Sequence, residues 1–427
     1  MKQERPERNQ ILPGVFLNFV ENDRYKTNYI TFHFVTPLDS QRASYNTLLS
    51  RVLTRGCEKY PTQMALNRAL DEAYDAALSS DSVKVGEWHA LSLSLALLDN
   101  AYAFDGEDIC ARGIELLEEV IFRPFLPEGS FSSEYVEGEK KQALLEIASL
   151  VNNKARYAKS RLIDHMCKNE PYSTCALGTA REIKKITPES LASYYKQMLS
   201  EARIEIFFVG RFEKESVKKK IEKMFARRER EFSELPSPSI RTCARKVKEV
   251  AEYMDITQAN LVMGFRTACT IYDKNWRAMS LYNSVLGGSL TSKLFCNLRE
   301  KMSLCYTVSS YPDALKGIMI IYAGIAAENR EVAIKEALNQ MDEIKKGNIT
   351  SEELENARGA LIHSMRGLAD NPAALADWYL PRILTENFDT PEEIVSELQI
   401  LTKEDVMKVS ENITLDTVYT LMGREGE

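Results

Sequence analysis

Residues 29–56 read YITFHFVTPLDSQRASYNTLLSRVLTRG, and they contain two hydrophobic patterns of different period. Its first seven residues alternate between apolar and polar side chains, which is typical of a half-buried β-strand. From about Ser44 to Arg55 the apolar residues form one stripe, which predicts an amphipathic helix, and Gly56 ends it. A strand followed by a glycine-terminated helix is therefore predicted at this point of the chain.

The same order of elements occurs a second time along the chain. Residues 258–265 form a predicted strand, residues 275–286 a helix that stops at a double glycine, and residues 292–302 the next helix. Both halves continue with paired strands, long helices and a short helix, and each ends on a strand followed by glycine, at 202–209 and 416–422. The repeat predicts two homologous domains.

Four other helical segments are predicted from periodicity and from helix-ending signals. One helix runs from Pro61 to Tyr74, with its proline in the first turn. A long helix is predicted over residues 128–168 of the first half, and others over 329–346 and 351–368 of the second.

A charged segment separates the two halves. Residues 227–248 contain the sequence Leu-Pro-Ser-Pro-Ser-Ile, which is typical of a linker. We therefore predict an N-terminal domain over residues 1–234 and a C-terminal domain over residues 235–427.

The composition limits the possible classes of protein. The chain has 427 residues, of which 44% are hydrophobic and 27% charged, so it is expected to fold into globular domains. A net charge of −7 makes nucleic acid an unfavourable partner. The eight cysteines include no C-x-x-C pair, which favours free thiols in a reducing compartment. No apolar run is long enough for a membrane span, so a cytoplasmic, soluble protein is predicted.

The chain contains only four histidines, His33, His89, His165 and His363. No two of them stand three or four residues apart, so no helix presents a pair of histidines to a metal ion. Glu87 and His89 are predicted to share one face of a strand, and we interpret them as an ordinary packing pair. His33 and His363 are likewise interpreted as structural.

A family resemblance enters with residues 291–306, TSKLFCNLREKMSLCY. They resemble the second-domain signature of the pitrilysin/insulinase-type zinc peptidases, the inverzincins. Residues 122–125, 134–147 and 172–210 are similar to the same family, and the resemblance covers nearly the whole chain. It implies an α+β protein with two homologous α/β-roll domains of the LuxS/processing-peptidase-like metallohydrolase fold. Each domain is then expected to have a mainly antiparallel sheet with helices packed on one face.

The resemblance also implies where a metal ion would bind. The family holds zinc with an H-x-x-E-H motif on a helix and a distal glutamate. The motif positions fall on Thr47, Ser50 and Arg51, which offer two neutral hydroxyls and a permanent cation instead of ligands and a general base. The distal positions match Glu139, expected to be solvated, and Glu146, which has Arg51 as a candidate ion-pair partner. We therefore predict that this chain binds no metal.

Two residues of the second half match a substrate-binding pair of the family. Arg299 and Tyr306 correspond to an arginine and a tyrosine that grip the substrate opposite the metal. Both are strong donors that can hold a peptide carbonyl and stabilise an oxyanion. Alternatively, Arg299 belongs to a charged helix face beside Glu300 and Lys301, and Tyr306 packs in a strand. Agreement in register with the surrounding signature favours the functional interpretation.

Two functions follow from this pattern. In the first, the chain is the non-zinc subunit of a heterodimeric peptidase and supplies arginine and tyrosine to a zinc-bearing homologous partner that cleaves a peptide substrate. Within the family it is similar to the zinc-motif-lacking member of bacterial pairs associated with 5-aminopentanol modification of elongation factor P. In the second, it is a non-catalytic structural or peptide-binding homologue that acts as a homodimer or assembly scaffold. An active peptidase with a different site is a third, less favoured possibility.

Overall fold

The computed structural model describes residues 5–226 and 228–424. Its contacts divide the chain into two compact units. Unit 1 consists of the residues up to Ala148, together with Thr174–Ser237 and Asp370–Pro381. Unit 2 consists of Ser149–Ser173, Pro238–Ala369 and the residues from Arg382 onward.

The passage from unit 1 to unit 2 after Ser237 lies close to the predicted boundary at residue 234. Residues 149–173 and 370–381, however, each belong to the unit formed mainly by the other half of the chain. Each unit is therefore made of several separate stretches of the sequence. The periodicity of a helix predicts its apolar face, but not which sheet that face will cover.

Unit 1 contains a six-stranded sheet in the order β1-β2-β6-β3-β5-β4. Its strands are β1 (Glu7–Leu12), β2 (Val15–Glu21), β3 (Thr27–Pro37), β4 (Ala77–Val85), β5 (Trp88–Leu98) and β6 (Arg203–Gly210). Strands β2 and β6 run parallel, and all other neighbours pair in antiparallel fashion.

Unit 2 contains a five-stranded sheet in the order β7-β11-β8-β10-β9. Its strands are β7 (Lys248–Met254), β8 (Ala259–Arg266), β9 (Cys305–Asp313), β10 (Ile318–Ile325) and β11 (Thr414–Gly423). Strands β7 and β11 are its parallel pair. The order matches that of β2-β6-β3-β5-β4 in unit 1, so the repeat inferred from the sequence is present in the topology. Strand β7 begins at the last residue of the segment predicted to be a linker.

Helices cover the sheets. In chain order they are α1 (Ser40–Leu53), α2 (Gln63–Asp71), α3 (Ile109–Phe122), α4 (Ser133–Ser149), α5 (Lys154–Met166), α6 (Ala180–Lys185), α7 (Pro188–Glu201), α8 (Lys214–Phe225), α9 (Trp276–Leu286), α10 (Arg330–Lys345), α11 (Ser351–Leu368), α12 (Pro372–Leu384), α13 (Pro391–Ile400) and α14 (Lys403–Ser410). The predicted α+β class is confirmed. No helix within the described ranges is long and apolar enough to cross a membrane.

Each sheet buries an apolar face against helices. In unit 1, alternate residues of β3, such as Ile30 and Phe32, join one core with leucines of β5 and of α1. In unit 2 the second face is covered as well, because Leu162 and Met166 of α5 pack on that side of the sheet. A Cβ at Gly264 of β8 would lie 2.6 Å from the Met166 sulfur, so the glycine lets this helix approach the strand closely.

Three predicted helices differ from those observed. The segment 128–168 is divided into α4, a short 3₁₀ turn (Leu150–Asn152) and α5. Proline 61 lies outside α2, which Thr62 caps by accepting a hydrogen bond from the Ala65 amide. The helix expected over residues 292–302 is largely a π-helix, Phe295–Lys301.

Candidate functional site

Helix α1 places the three motif positions among neutral hydrogen-bonding groups of unit 1. The Thr47 hydroxyl lies 3.1 Å from the Ser82 hydroxyl of β4 and 3.5 Å from the Ala176 carbonyl oxygen. Ser50 donates to the Thr47 carbonyl oxygen at 3.1 Å. Both side chains are buried and hydrogen-bonded, and a neutral hydroxyl is not one of the usual zinc ligands.

Two arginine–glutamate pairs join α1, and the residues just after it, to α4. Arg51 forms an ion pair with Glu146, its candidate partner, at the position where the family resemblance places the metal. Two residues beyond the end of α1, the Arg55 guanidinium lies 3.7 Å from a carboxylate oxygen of Glu139. The Glu139 side chain is only 14% exposed, so the expectation that it is solvated is wrong. Its position on α4, seven residues before Glu146, directs both carboxylates to Arg51 and Arg55.

These residues do not fit a zinc ion. Zinc requires thiolate, imidazole or carboxylate ligands in a tetrahedral arrangement. Here the Thr47 hydroxyl lies within hydrogen-bond distance of the Ser82 hydroxyl, and the Ser50 hydroxyl donates to the Thr47 carbonyl oxygen. Glu146 already pairs with Arg51. No group of three or more histidines, cysteines, aspartates and glutamates arranged to hold a metal occurs among the residues described.

His89 belongs to a structural network beside the motif positions. Its Nδ1 accepts from the Asn46 amide and its Nε2 donates to the Ala176 carbonyl oxygen, each at 2.9 Å, when the proton is assigned to Nε2. Burial lowers the pKa of His89 to about 4, so the ring stays neutral at physiological pH. Glu87 lies in the turn before β5 rather than on a strand face with His89. The network fixes the segment around Ala176 against α1.

The other predicted structural histidines differ in burial. His33 is fully enclosed on β3 and its Nδ1 lies 2.7 Å from the Ser92 hydroxyl of β5. Burial lowers the pKa of His33 to about 3. His363 is exposed on α11.

The substrate-binding candidates lie in unit 2 on two local irregularities of the backbone. Arg299 lies in the π-helix, where the Met302 amide donates to the Asn297 carbonyl oxygen at 3.0 Å, a bond across five residues. The Arg299 guanidinium lies 4.8 Å from the ring centre of Phe295, within cation–π distance. Such π-helical segments are rare and are frequent at functional sites.

Tyr306 occupies a β-bulge near the start of β9. In the pairing of β9 with β10, Thr307 lies opposite Gly324 and Cys305 opposite Ile325, so Tyr306 is the extra residue. A bulge of this kind bends the strand and redirects a side chain. The Tyr306 side chain is accordingly 73% exposed instead of packed in the sheet, which contradicts the alternative interpretation of this residue.

Arg299 and Tyr306 line one depression of about 440 Å³. The remaining lining residues are Glu300, Ser303, Leu304, Cys305, Ala326 and Asn329. Arg299 also lies beside Glu300, at 4.0 Å, as the alternative interpretation expected. The depression is open and mostly polar, which suits the backbone of a peptide better than an apolar ligand. Phe295 and Asn329 were not identified from the sequence as neighbours of this pair. The one possible signal was the position of Phe295, an aromatic residue four positions before Arg299.

The fold and the three substituted positions on α1 define a zinc-peptidase-like protein whose motif positions carry residues other than the usual zinc ligands. A model of the peptidase M16 inactive domain matches residues 185–361. The chain is 30% identical over 413 residues to "Probable inactive metalloprotease YmfF" of Bacillus subtilis, with 97% of each chain covered. The chain therefore belongs to the peptidase M16 family, which confirms the pitrilysin-type resemblance, and it is a homologue of inactive members.

Solved structures share the fold over the whole chain. A conserved protein from Enterococcus faecalis V583 has a TM-score of 0.92 at 26% identity, covering 99% of this chain and all of that one. A peptidase M16 inactive domain from Pseudomonas fluorescens has a TM-score of 0.78 at 18% identity, covering 99% of each. The second comparison supports the fold alone.

Proposed function

We propose that this chain is the non-zinc subunit of a heterodimeric M16 peptidase. A homologous subunit with an intact H-x-x-E-H motif binds the zinc ion, and this chain contributes Arg299 and Tyr306 to substrate binding. The observation that carries the proposal is the contrast between the two sites. The α1 positions are closed by hydrogen bonds and an ion pair, while Arg299 and Tyr306 share an open depression.

The chemistry of the pair suits the carbonyl of a peptide in an extended conformation. A guanidinium and a phenol can both donate to one oxygen, and they bind it more strongly as negative charge develops there. The β9 strand that carries Tyr306 is the edge of its sheet, so its backbone can also pair with an extended chain. The substrate class is therefore proposed to be a peptide.

The compartment is proposed from the cysteines. All eight are free thiols, and five of them are buried. Unpaired thiols are typical of a reducing environment, so we propose that the subunit acts in the cytoplasm.

The proposal is tested by mixing the purified chain with a zinc-motif-bearing M16 homologue from the same genome. Cleavage of a quenched fluorescent peptide library is measured for each protein alone and for the mixture, and zinc is determined by mass spectrometry. We expect zinc only in the homologue and cleavage only in the mixture. Arg299→Ala is expected to lower kcat/KM by about 10²-fold, the usual effect of losing one oxyanion donor.

Matched control variants distinguish a specific loss of the Arg299 or Tyr306 contact from a general effect of substituting a surface residue. Tyr306→Phe removes only the phenol hydroxyl, and Tyr272→Phe makes the same change at another exposed tyrosine, outside the depression. Arg156→Ala, on the exposed surface of α5, is the control for Arg299→Ala. Stoichiometric zinc and cleavage by the chain alone would contradict the proposal. A stable complex that does not cleave, or peptide binding without a partner, would favour the scaffold or peptide-binding function.

A further inference from the structure

The two sheets differ at one edge. In unit 1, β2 has the position in its sheet that β7 has in unit 2. The outer edge of β2 is covered, because β1 pairs with it. Within the described parts of the chain, β7 pairs with β11 on one side and with no strand on the other. An uncovered edge of seven residues presents backbone donors and acceptors that favour pairing with another strand.

The direction of these backbone groups follows from one bond. The Met254 carbonyl oxygen accepts from the Arg424 amide at the end of β11. Alternate residues of a strand direct their backbone groups to opposite edges, so residues with the parity of Met254 face β11. The amides and carbonyls of Glu249, Ala251 and Tyr253 therefore point to the open edge.

The sequence at this edge is complementary to itself. If a second β7 runs antiparallel with Val250 opposite Val250, then Lys248 lies opposite Glu252 and Val247 opposite Tyr253, and each pair occurs twice. The outward-facing residues Glu249 and Ala251 then form the hydrogen-bonded pairs, as their backbone directions require. Val247 and Tyr253 are 43% and 55% exposed, so the pairing would cover two large apolar side chains that water now contacts.

We propose that β7 is the interface of a homodimer in which two copies join their unit 2 sheets into one ten-stranded sheet. The interface is isologous, since residue 248 of each copy meets residue 252 of the other across a two-fold axis. The occupant of the edge is thus a second copy of this chain. This assembly does not depend on the proposed peptidase function, because β7 and the β9 strand of Tyr306 form opposite edges of the sheet.

The charged residues of the edge are already oriented for this contact. Glu252 accepts from the Tyr157 hydroxyl at 2.6 Å, from the Tyr419 hydroxyl at 2.8 Å and from Arg161 at 3.1 Å, so its carboxylate is fixed on the α5 side. Lys248 donates to the His165 carbonyl oxygen at 2.8 Å on the same side. An ammonium has three donors, so Lys248 can keep this bond while it pairs with the carboxylate of the second copy.

The test is the oligomeric state of the full chain. Sedimentation velocity and light scattering from about 1 to 100 μM are expected to show a concentration-dependent dimer of twice 48.6 kDa. Ala251→Pro removes an outward-pointing amide and is tolerated by an edge strand. It is expected to weaken the dimer by at least about tenfold, with an unchanged circular dichroism spectrum.

Two further variants show whether the side chains at this edge carry the contact. Tyr253→Lys removes the apolar pair and should also give monomers. Ile400→Lys, at an exposed apolar residue of α13, should leave the dimer intact. A wild-type chain that stays monomeric over this range, or a dimer unaffected by Ala251→Pro and Tyr253→Lys, would overturn the proposal.

Discussion

The ion pair between Arg51 and Glu146 provides a direct test of what joins α1 to α4 in place of a metal ion. A double-mutant cycle isolates their coupling: Arg51→Met and Glu146→Gln remove the charges with little change of volume. The side chains are 29% and 43% exposed, so solvent screens their attraction and reduces it well below that of a buried pair. We expect a coupling free energy of about 1 kcal/mol, at the upper end of exposed pairs.

The assay is unfolding by urea, since guanidinium would screen the charges. Circular dichroism at low salt and in about 1 M sodium chloride gives the free energy of unfolding of the four proteins in the cycle. The coupling should fall in high salt, because the Debye length shrinks to about 3 Å.

A second cycle on Arg68 and Glu72, an exposed pair within the region of α2, is the control. Its coupling should be about 0.3 kcal/mol. If the Arg51–Glu146 coupling is no larger than this control, or does not respond to salt, then the ion pair does not hold α1 to α4.

Three further outcomes are expected. Gly178→Ala should destabilise the chain by about 2 to 4 kcal/mol more than Gly129→Ala in urea unfolding. Both glycines have a positive φ, so the backbone strain is shared. A Cβ at Gly178 would lie 2.0 Å from the Ser44 hydroxyl oxygen, whereas a Cβ at Gly129 would meet open space. Between about pH 6.5 and pH 4 the wild type should lose about 3 kcal/mol of stability through His89, because its pKa is lowered in the folded state and only the unfolded chain takes up the proton. Melting temperatures measured against pH should therefore fall less steeply in His89→Gln than in the wild type. The control His363→Gln should behave like the wild type. Lys316→Met should cost about 1.5 to 3 kcal/mol in the same unfolding assay, because it removes a charged contact 2.6 Å long to the buried carboxylate of Glu170, which keeps its pair with Arg266. No measurable loss would contradict that expectation.

Much of the fold was predictable because periodicity reports burial. Helix α11 has the bounds expected from its sequence, and α1 and β6 differ by a few residues. Strand β1 was not predicted because it is a partly exposed edge strand of mostly polar residues, ERNQIL, without an apolar stripe. Its strand character comes from pairing with β2, which is a tertiary effect.

The candidate positions came from the family resemblance, and the geometry of the site did not follow from the sequence. At the motif positions that the resemblance gave, Thr47, Ser50 and Arg51, side-chain chemistry predicted no suitable ligands, and the cost of an unpaired charge made Arg51 a candidate partner of Glu146. The π-helix at Arg299 and the bulge at Tyr306 did not follow, because each depends on a local shift in backbone hydrogen bonding. The pattern of apolar and polar residues does not predict such a shift.

The transfer of residues 370–381 into unit 1 has a consequence for synthesis on the ribosome. A domain that ends near residue 237 could fold while the rest of the chain is still being made. Unit 1 instead lacks a segment until residue 381 of 427 has been translated. Part of its apolar surface therefore stays uncovered through most of elongation, and a chain interrupted in the second half should be a substrate for chaperones and proteases.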